Sequence, residues 1–430
     1  MTPDYGFPAL PRLAKVEAIH VRVPFRRPFL DATGEFTHRR TWLFRIVDAD
    51  GYEGLGEAVL HPIAADVTSE ALAALIREIV PEVVAGRLPG WSSLAVEGEP
   101  GRAAMAAVDG ALGALLAARG AAGASAPAGA ISMAGPAAQA RALSAANLAP
   151  IPVSAAITFA GPDAGAEAAA QAVELGFGTL KLRAGFERAT DQLVDRLRAI
   201  RAAVGPEPRL RIDAGGAWDL ETAAERIAAI EPFRIEFVEQ PLTAWDVAGH
   251  AALRERVRVP IALDESIDSE GSARAALAEG AVDVVIVKPA RVGGLAATTR
   301  IVDAAVATGA ERATKASVVL GTFFETGVGI AAALRIAATM RAAAAADAPA
   351  AQLDGGPNGA RDGDGAPKVG METAHGLETA HGLATAGVLV HDLLGVPLPI
   401  EKGAMAVPTV VTLDELEVDR YAIERFEARR

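Results

Sequence analysis

Residues 209–241 read RLRIDAGGAWDLETAAERIAAIEPFRIEFVEQP, and this stretch decides the fold class. RLRIDAGG is a short apolar-branched run that ends on Asp213 and two glycines, and IEFVEQP is a second that ends on Glu239. ETAAERIAAI between them carries its apolar residues at helical spacing. Strand, helix and strand in that order form a βαβ unit and therefore a parallel sheet. Outward from it the pattern repeats. IPVSAAI (151–157), GTLKLRAG (178–185), PIALDES (260–266), VDVVIVKPA (282–290) and SVVLGTFFE (317–325) are further strands, with helices such as ATDQLVDRLRAIRAAV (189–204) between them. Seven or eight such units in roughly 200 residues point to a closed (β/α)8 barrel more than an open sheet.

The flanks differ in character. VEAIHVRVPF (16–25) and TWLFRIVDADGYEGLGEA (41–58) read as strands, with FRRPFLDATGEFTHRR (25–40) between them as a polar surface loop. SEALAALIREIVPEVV and AAMAAVDGALGALLAA then read as helices, followed by an Ala/Gly/Pro-rich connector to about residue 150. The expected organisation is an α+β domain over 13–150, completed by the tail 396–430, and a barrel over 151–395. The segment 342–371 is of low complexity and reads as an insertion in the barrel, and ETAHGL occurs twice in tandem at 372–377 and 378–383.

Composition removes whole classes of function. A formal charge of −13 argues against nucleic acid as a partner, because neutralising phosphates needs a basic face. The absence of cysteine excludes disulfides, thiolate catalysis and Cys-ligated zinc. No apolar run of the roughly 18–20 residues that span a bilayer and no signal-peptide pattern are expected, which implies no membrane partner and a cytoplasmic location. Six lysines stand against 35 arginines, so a lysine inside a buried strand looks like a chemical requirement.

In a parallel barrel the reactive groups sit at the C-terminal ends of the strands. Read in order, those ends carry Lys181 and Arg183, then Asp213, Glu239, Asp264 and Lys288. The carboxylates are 26 and 25 residues apart and Lys288 follows 24 later, about one βα unit each time. Three carboxylates at one barrel mouth repel strongly unless a cation neutralises them, and hard oxygen ligands suit Mg²⁺. Cationic side chains on two sides of such a centre form an apparatus for proton transfer and enolate stabilisation.

The set LKLR, RIDAGGAWD, FVEQP, ALDES, VIVKPARVGG and FFETGVG resembles the muconate-lactonizing subgroup of the enolase superfamily, and within it the o-succinylbenzoate synthases. GYEGLGEA resembles the end of that family's capping domain. The resemblance implies a modified barrel under a cap, Mg²⁺ held by Asp213, Glu239 and Asp264, a small carboxylate substrate, and a homo-oligomer. It makes Lys288 the cation facing the enolate, or the acid/base on that face, and Lys181 the first Lys of the Lys-x-Lys motif. The implied reaction is Mg²⁺-dependent removal of a proton alpha to a carboxylate, with dehydration to o-succinylbenzoate in menaquinone biosynthesis as the first choice. N-acylamino acid racemase, muconate cycloisomerase and dipeptide epimerase activities share the motifs, and a non-catalytic metal-binding paralog is the alternative of another class.

Two positions depart from the family pattern. Arg183 stands where the second Lys, the usual base, is found, and Gly215 stands where Asn is usual. Arg stays protonated at any ordinary pH and is a poor base. Three readings stay open: Lys288 is the only base, Arg183 is an electrostatic clamp while Lys181 moves the proton, or the activity is weakened or diverted. Glu325 and Thr326 follow the seventh strand and are candidate substrate contacts. Phe25 and Thr33, with Arg26 and Phe29, are candidates to close over the pocket or else plain surface loop. Arg291 is expected to pair with a barrel carboxylate without a catalytic role. No histidine ends a predicted strand between 151 and 322, which argues against a His base. GVGIAA at 327 and DGDG at 362 are incomplete matches to a dinucleotide loop and a Ca²⁺ loop.

Overall fold

The computed structural model describes residues 11–31, 34–61, 66–87, 98–122, 149–158, 161–311, 316–347, 380–384 and 389–430. Strands β1 (Leu13–Asp31), β2 (Gly34–Asp48) and β3 (Glu53–Ala58) form an antiparallel meander. Their alternating apolar residues, Val16, Ala18, Phe44 and Ile46 among them, turn one face into a core with helices Asp66–Val84 and Gly98–Ala121. The segment expected to be a loop at 25–40 is instead the far end of the β1–β2 hairpin, which pairs Phe29 with Phe36 and Leu30 with Glu35. The register slips between Pro24 and Phe29, which lets the pairing pass a proline that cannot donate.

β3 and the helix Gly98–Ala121 pack unusually close. A Cβ at Gly54 would lie 2.1 Å from the Ala111 carbonyl oxygen, and one at Gly56 would lie 1.9 Å from that of Ala107. The two glycines of GYEGLGEA are therefore contact surface for a helix backbone. Among the described residues this helix is also the one long and apolar enough to cross a membrane, against the expectation that no such run exists. Sixteen of its 24 residues are buried inside the protein, because its Ala and Gly residues fit between β3 and the barrel.

The parallel sheet follows in the order of the chain. After β4 (Ile151–Pro152) come β5 (Ala155–Ile157), β6 (Thr179–Arg183), β7 (Arg209–Asp213), β8 (Ile235–Glu239), β9 (Ile261–Leu263), β10 (Val284–Val287) and β11 (Ser317–Leu320). β5 to β11 each pair with the next, so that every strand is followed by a helix that returns over the outside. Two residues join the ends of this curl: His381 bridges Val153 and Gly382 bridges Gly321, both in parallel sense. His381 N donates to the Pro152 carbonyl at 2.9 Å and Gly382 N to that of Leu320 at 2.8 Å. The eighth barrel position is thus filled by the second ETAHGL copy, while the first lies outside the described residues. Burial drives the His381 pKa down to about 3, and its neutral Nδ1 accepts a hydrogen bond from Leu320 N at 3.0 Å.

The tail returns to the start. Beyond β12 (Ile400–Glu401) and β13 (Ala404–Met405), β14 (Ala422–Arg429) pairs antiparallel with β1 and forms the outer edge of the first sheet. Residues 342–347 of the low-complexity segment finish the helix Gly327–Asp347, and 348–371 lie outside the described residues. The glycine packing gives a direct test. Gly56→Ala should cost about 3 kcal/mol in urea unfolding, because a helix backbone must move. Gly178→Ala, with nothing within 4 Å of the added carbon, should stay within about 0.5 kcal/mol of the parent protein.

Candidate active site

The parallel register sets the strand-end charges side by side. Arg183 is the Cα partner of Asp213, and Asp213 of Glu239, so β6, β7 and β8 finish on one row. Asp264 is the first residue after β9, and Lys288 is the first after β10. The Lys181 ammonium lies 2.6 Å from Glu239 Oε1 and 3.1 Å from Asp213 Oδ2. Arg183 Nη1 lies 2.8 Å from Asp213 Oδ1, and Lys288 Nζ 2.7 Å from Asp264 Oδ2. All six charged groups read from the strand ends meet in one cluster, with Glu239 and Asp264 buried and the Arg183 side chain the most open at 39% exposure.

Burial works against every charge here, and the neighbours decide the outcome. It lowers the Lys181 ammonium, but Asp213, Glu239 and Asp264 outweigh it and hold Lys181 protonated. Burial pushes the Asp264 carboxyl up, and Lys288 and Lys181 pull it well below the usual carboxylate range. Glu239 goes the other way, because burial and the like charges of Asp213 and Asp264 outweigh Lys181. Two carboxylate oxygens, Asp264 Oδ1 and Glu265 Oε2, are buried without a partner. An unsatisfied buried carboxylate oxygen is costly, and a hard cation is the natural partner for it. Among the described residues no three carboxylates or imidazoles already converge on one point, since each strand-end carboxylate is turned to an ammonium or guanidinium. The donor set and the two orphan oxygens fit a divalent ion with oxygen ligands.

Arg183 and Gly215 explain one another. Gly215 sits at φ +55°, and a Cβ there would lie 2.2 Å from Arg183 Nη2 and 2.7 Å from Cζ. The guanidinium occupies the room that any side chain at 215 would take. Arg183 and Gly215 therefore share one volume across β6 and β7.

Several supporting residues were not singled out from the sequence. Gln240, wholly buried and at φ +42°, ties three strand ends together. Its Oε1 accepts from the main-chain N of Asp264 (3.0 Å) and Ser266 (3.2 Å), its Nε2 donates to Ser266 Oγ (2.8 Å), and its carbonyl accepts from Gly216 N. A non-glycine residue held left-handed beside reactive groups stores strain that its hydrogen bonds repay. Phe323 is the second, with Lys288 Nζ 5.5 Å from its ring centre. The signal for Gln240 was present in FVEQP, as an amide wedged between a strand-end carboxylate and a proline. Phe323 carried no signal beyond its apolarity.

Other sequence candidates lie elsewhere. Glu325 and Thr326 are buried and face Glu57 of β3 rather than the charged row. Phe25 is buried and meets Phe324 edge to face at 6.1 Å. Thr33 lies outside the described residues, as does the Phe29 side chain. Arg291 reaches the carbonyls of Asp264 and Glu265 at 3.4 and 3.1 Å, so its partners are main-chain oxygens and not the carboxylate expected.

A sequence model of the family described as enolase C-terminal domain-like matches residues 164–411, more than half of the chain. The chain belongs to this family. Its relatives include an o-succinylbenzoate synthase of Thermobifida fusca, 38% identical over 190 residues that cover 43% of this chain and 55% of that protein. An N-succinylamino acid racemase of Amycolatopsis is 39% identical over 36% of this chain and 38% of that protein. The chain thus matches only about a third to a half of these relatives' length. Among solved structures, muconate lactonizing enzyme from Pseudomonas fluorescens covers 96% of this chain and 100% of its own at a TM-score of 0.70 and 21% identity. A probable mandelate racemase from Alicyclobacillus acidocaldarius reaches the same score at 23% identity, over 97% and 99% of the two chains. Both likenesses run over nearly the whole chain, so the fold of antiparallel sheet and parallel barrel described above is shared with them.

The shared volume of Arg183 and Gly215 is measurable without any substrate. Gly215→Ala should destabilise through its left-handed backbone and by displacing the guanidinium. In an Arg183→Ala background only the backbone part remains, so denaturant unfolding of the four proteins should give a coupling of about 1 kcal/mol. Additive costs would mean that the two residues do not share space.

Proposed function

We propose that the chain is an Mg²⁺-dependent lyase or isomerase that removes a proton alpha to a substrate carboxylate and stabilises the enolate. The observation that carries this reading is the charged strand-end row, with Asp213, Glu239 and Asp264 flanked by Lys181 and Arg183 on β6 and by Lys288 beyond β10. On this reading Asp213, Glu239 and Asp264 hold the metal, which supplies positive charge against the substrate carboxylate and the enolate oxygen. Lys288 exchanges the proton on its face of the substrate. Lys181, close to two of the ligand carboxylates, fixes their orientation and adds a second cation. Arg183 contributes a permanent charge and takes no proton, since guanidinium does not deprotonate in this range.

Dehydration to o-succinylbenzoate is the first choice, and the name of the Thermobifida fusca relative supports it. A base removes the ring α-proton of a cyclohexadiene hydroxy acid, hydroxide leaves the neighbouring carbon, and the ring becomes aromatic. Proton and hydroxide together account for the water lost. This chemistry needs a base on one face only. Racemisation of an N-succinylamino acid is the second reading, supported by the Amycolatopsis relative, and it needs a proton-exchanging group on each face.

Steady-state turnover of the cyclohexadiene precursor with Mg²⁺ tests the first choice. Turnover should require the metal and fall by at least about 10³-fold in Lys288→Ala. Metal-loaded folded protein that leaves the precursor untouched would discard this substrate. For the second reading, each enantiomer of an N-succinylamino acid is incubated in D₂O. The α-proton should exchange from one enantiomer alone, and exchange from both with interconversion would make the chain a racemase. Exchange from neither, together with no turnover, would favour a metal-binding paralog without catalysis.

A further inference from the structure

A carboxylate of the cap holds the loop on which Lys288 rests. Glu57, near the end of β3, is buried and lies across the start of the helix Gly327–Asp347. Its carboxylate accepts from Thr326 N at 3.0 and 3.1 Å, from Thr326 Oγ1 at 2.7 Å and from Gly329 N at 2.9 Å. These donors include first-turn N–H groups that a helix leaves unsatisfied, and a negative charge is favoured there. A barrel helix is thus capped by a residue of the other sheet. The approach depends on Gly329, where a Cβ would lie 3.0 Å from Glu57 Oε2 and 2.6 Å from the Glu325 side chain.

The capped turn ends the loop 321–326, and that loop contacts Lys288 twice. A Cβ on Gly321 would lie 3.3 Å from Lys288 Cγ, so the lysine stem runs along the bare main chain of that residue. The Phe323 ring lies 5.5 Å from Lys288 Nζ, with Arg39 and Arg291 within 6 Å of the same ring. Phe323 is itself held by its main-chain N, which donates to Glu325 Oε2. Burial, with the neighbouring Glu57, pushes the Glu325 pKa up to about 7 against its main-chain hydrogen bonds and Arg39. Lys288 therefore takes its aim from a loop whose far end is pinned by the cap.

We propose that Glu57 is a positioning residue for Lys288, acting through Thr326 and the Phe323 loop. This rests on the reading of Lys288 as the proton-exchanging group. Of the carboxylates assigned to the metal, Asp213 and Glu239 stand outside this chain of contacts, and Asp264 touches it only through Lys288. Loss of the Glu57 cap should therefore misplace the ammonium and affect turnover far more than metal affinity. Displacements of about 1 Å at a reacting group commonly cost about 10²-fold in rate.

With six lysines in the chain, protein labelled with ¹³C at lysine Cε gives few signals, and Lys288→Arg assigns the one that matters. That signal should carry a ring-current displacement that Phe323→Leu removes. Glu57→Gln should move it toward its Phe323→Leu position and leave the Lys181 signal in place. Thr326→Val, which deletes one hydroxyl donor and keeps the carboxylate, should do the same to a lesser degree and covers the case in which Glu57→Gln fails to fold. With the cyclohexadiene precursor, kcat should fall about 10- to 100-fold in Glu57→Gln while KM and the Mg²⁺ dissociation constant change less than about twofold. An unmoved Lys288 signal in either folded variant overturns the proposal, as does a comparable loss of metal affinity. Absence of turnover in the parent protein would instead overturn the reading of the substrate, and the lysine signal would then decide the positioning role by itself.

Discussion

Three carboxylates at the ends of neighbouring parallel strands have to be held together, and most of what is unusual in this chain answers to that constraint. Parallel strands run about 4.8 Å apart, so groups that end adjacent strands cannot avoid one another. Two like charges about 4 Å apart at an effective dielectric of 20 repel by about 4 kcal/mol. In the structure Lys181 meets that cost by touching both Asp213 and Glu239, and Lys288 and Arg183 take the outer two carboxylates. A chain that otherwise prefers arginine so heavily uses lysine at 181 and 288. The compact ammonium reaches two carboxylates at once and, unlike guanidinium, can lose a proton.

The row must also be kept level, and the machinery for that lies outside it. Gln240 ties β8 to the turns after β7 and β9. The cap acts from above: Arg102 Nε donates to the Arg291 carbonyl at 3.1 Å, and Asp109 accepts from Leu295 N. Small residues make these approaches possible. Gly54 and Gly56 admit the helix Gly98–Ala121, and a Cβ at Gly294 would lie 2.6 Å from Asp109 Oδ2. The high Ala and Gly content is in these places a contact surface rather than mere low complexity.

The parallel strands and their terminal charges were legible in sequence because both follow from local rules. A buried strand is a short branched apolar run, and its first polar residue marks the barrel mouth. The hairpin over 25–40 was misread because antiparallel pairing there is made by the main chain and tolerates Arg, Pro and Thr side chains. The closing strand was invisible for a related reason: two residues, His381 and Gly382, carry no periodicity. Glu57 acts through partners as far as 272 residues away, as with Gly329, and no spacing rule links such positions. The exchange of volume between Arg183 and Gly215 showed in sequence as two separate oddities. Only the left-handed turn at 215 shows them to be one.

That exchange bears on which chemistry the proposed site is suited to. A site that inverts a carbon centre needs groups of similar proton affinity on both faces, so that either one gives back what the other takes. Here the β10 side presents Lys288, whereas the outermost group of β6 is a guanidinium paired with Asp213 and packed on a bare glycine. A larger residue at 215 would have to displace the guanidinium. An elimination has no such symmetry requirement, because one proton leaves carbon and the leaving group departs with its electron pair. On the proposed reading, the asymmetry in proton affinity between β6 and β10 therefore fits a lyase better than a racemase.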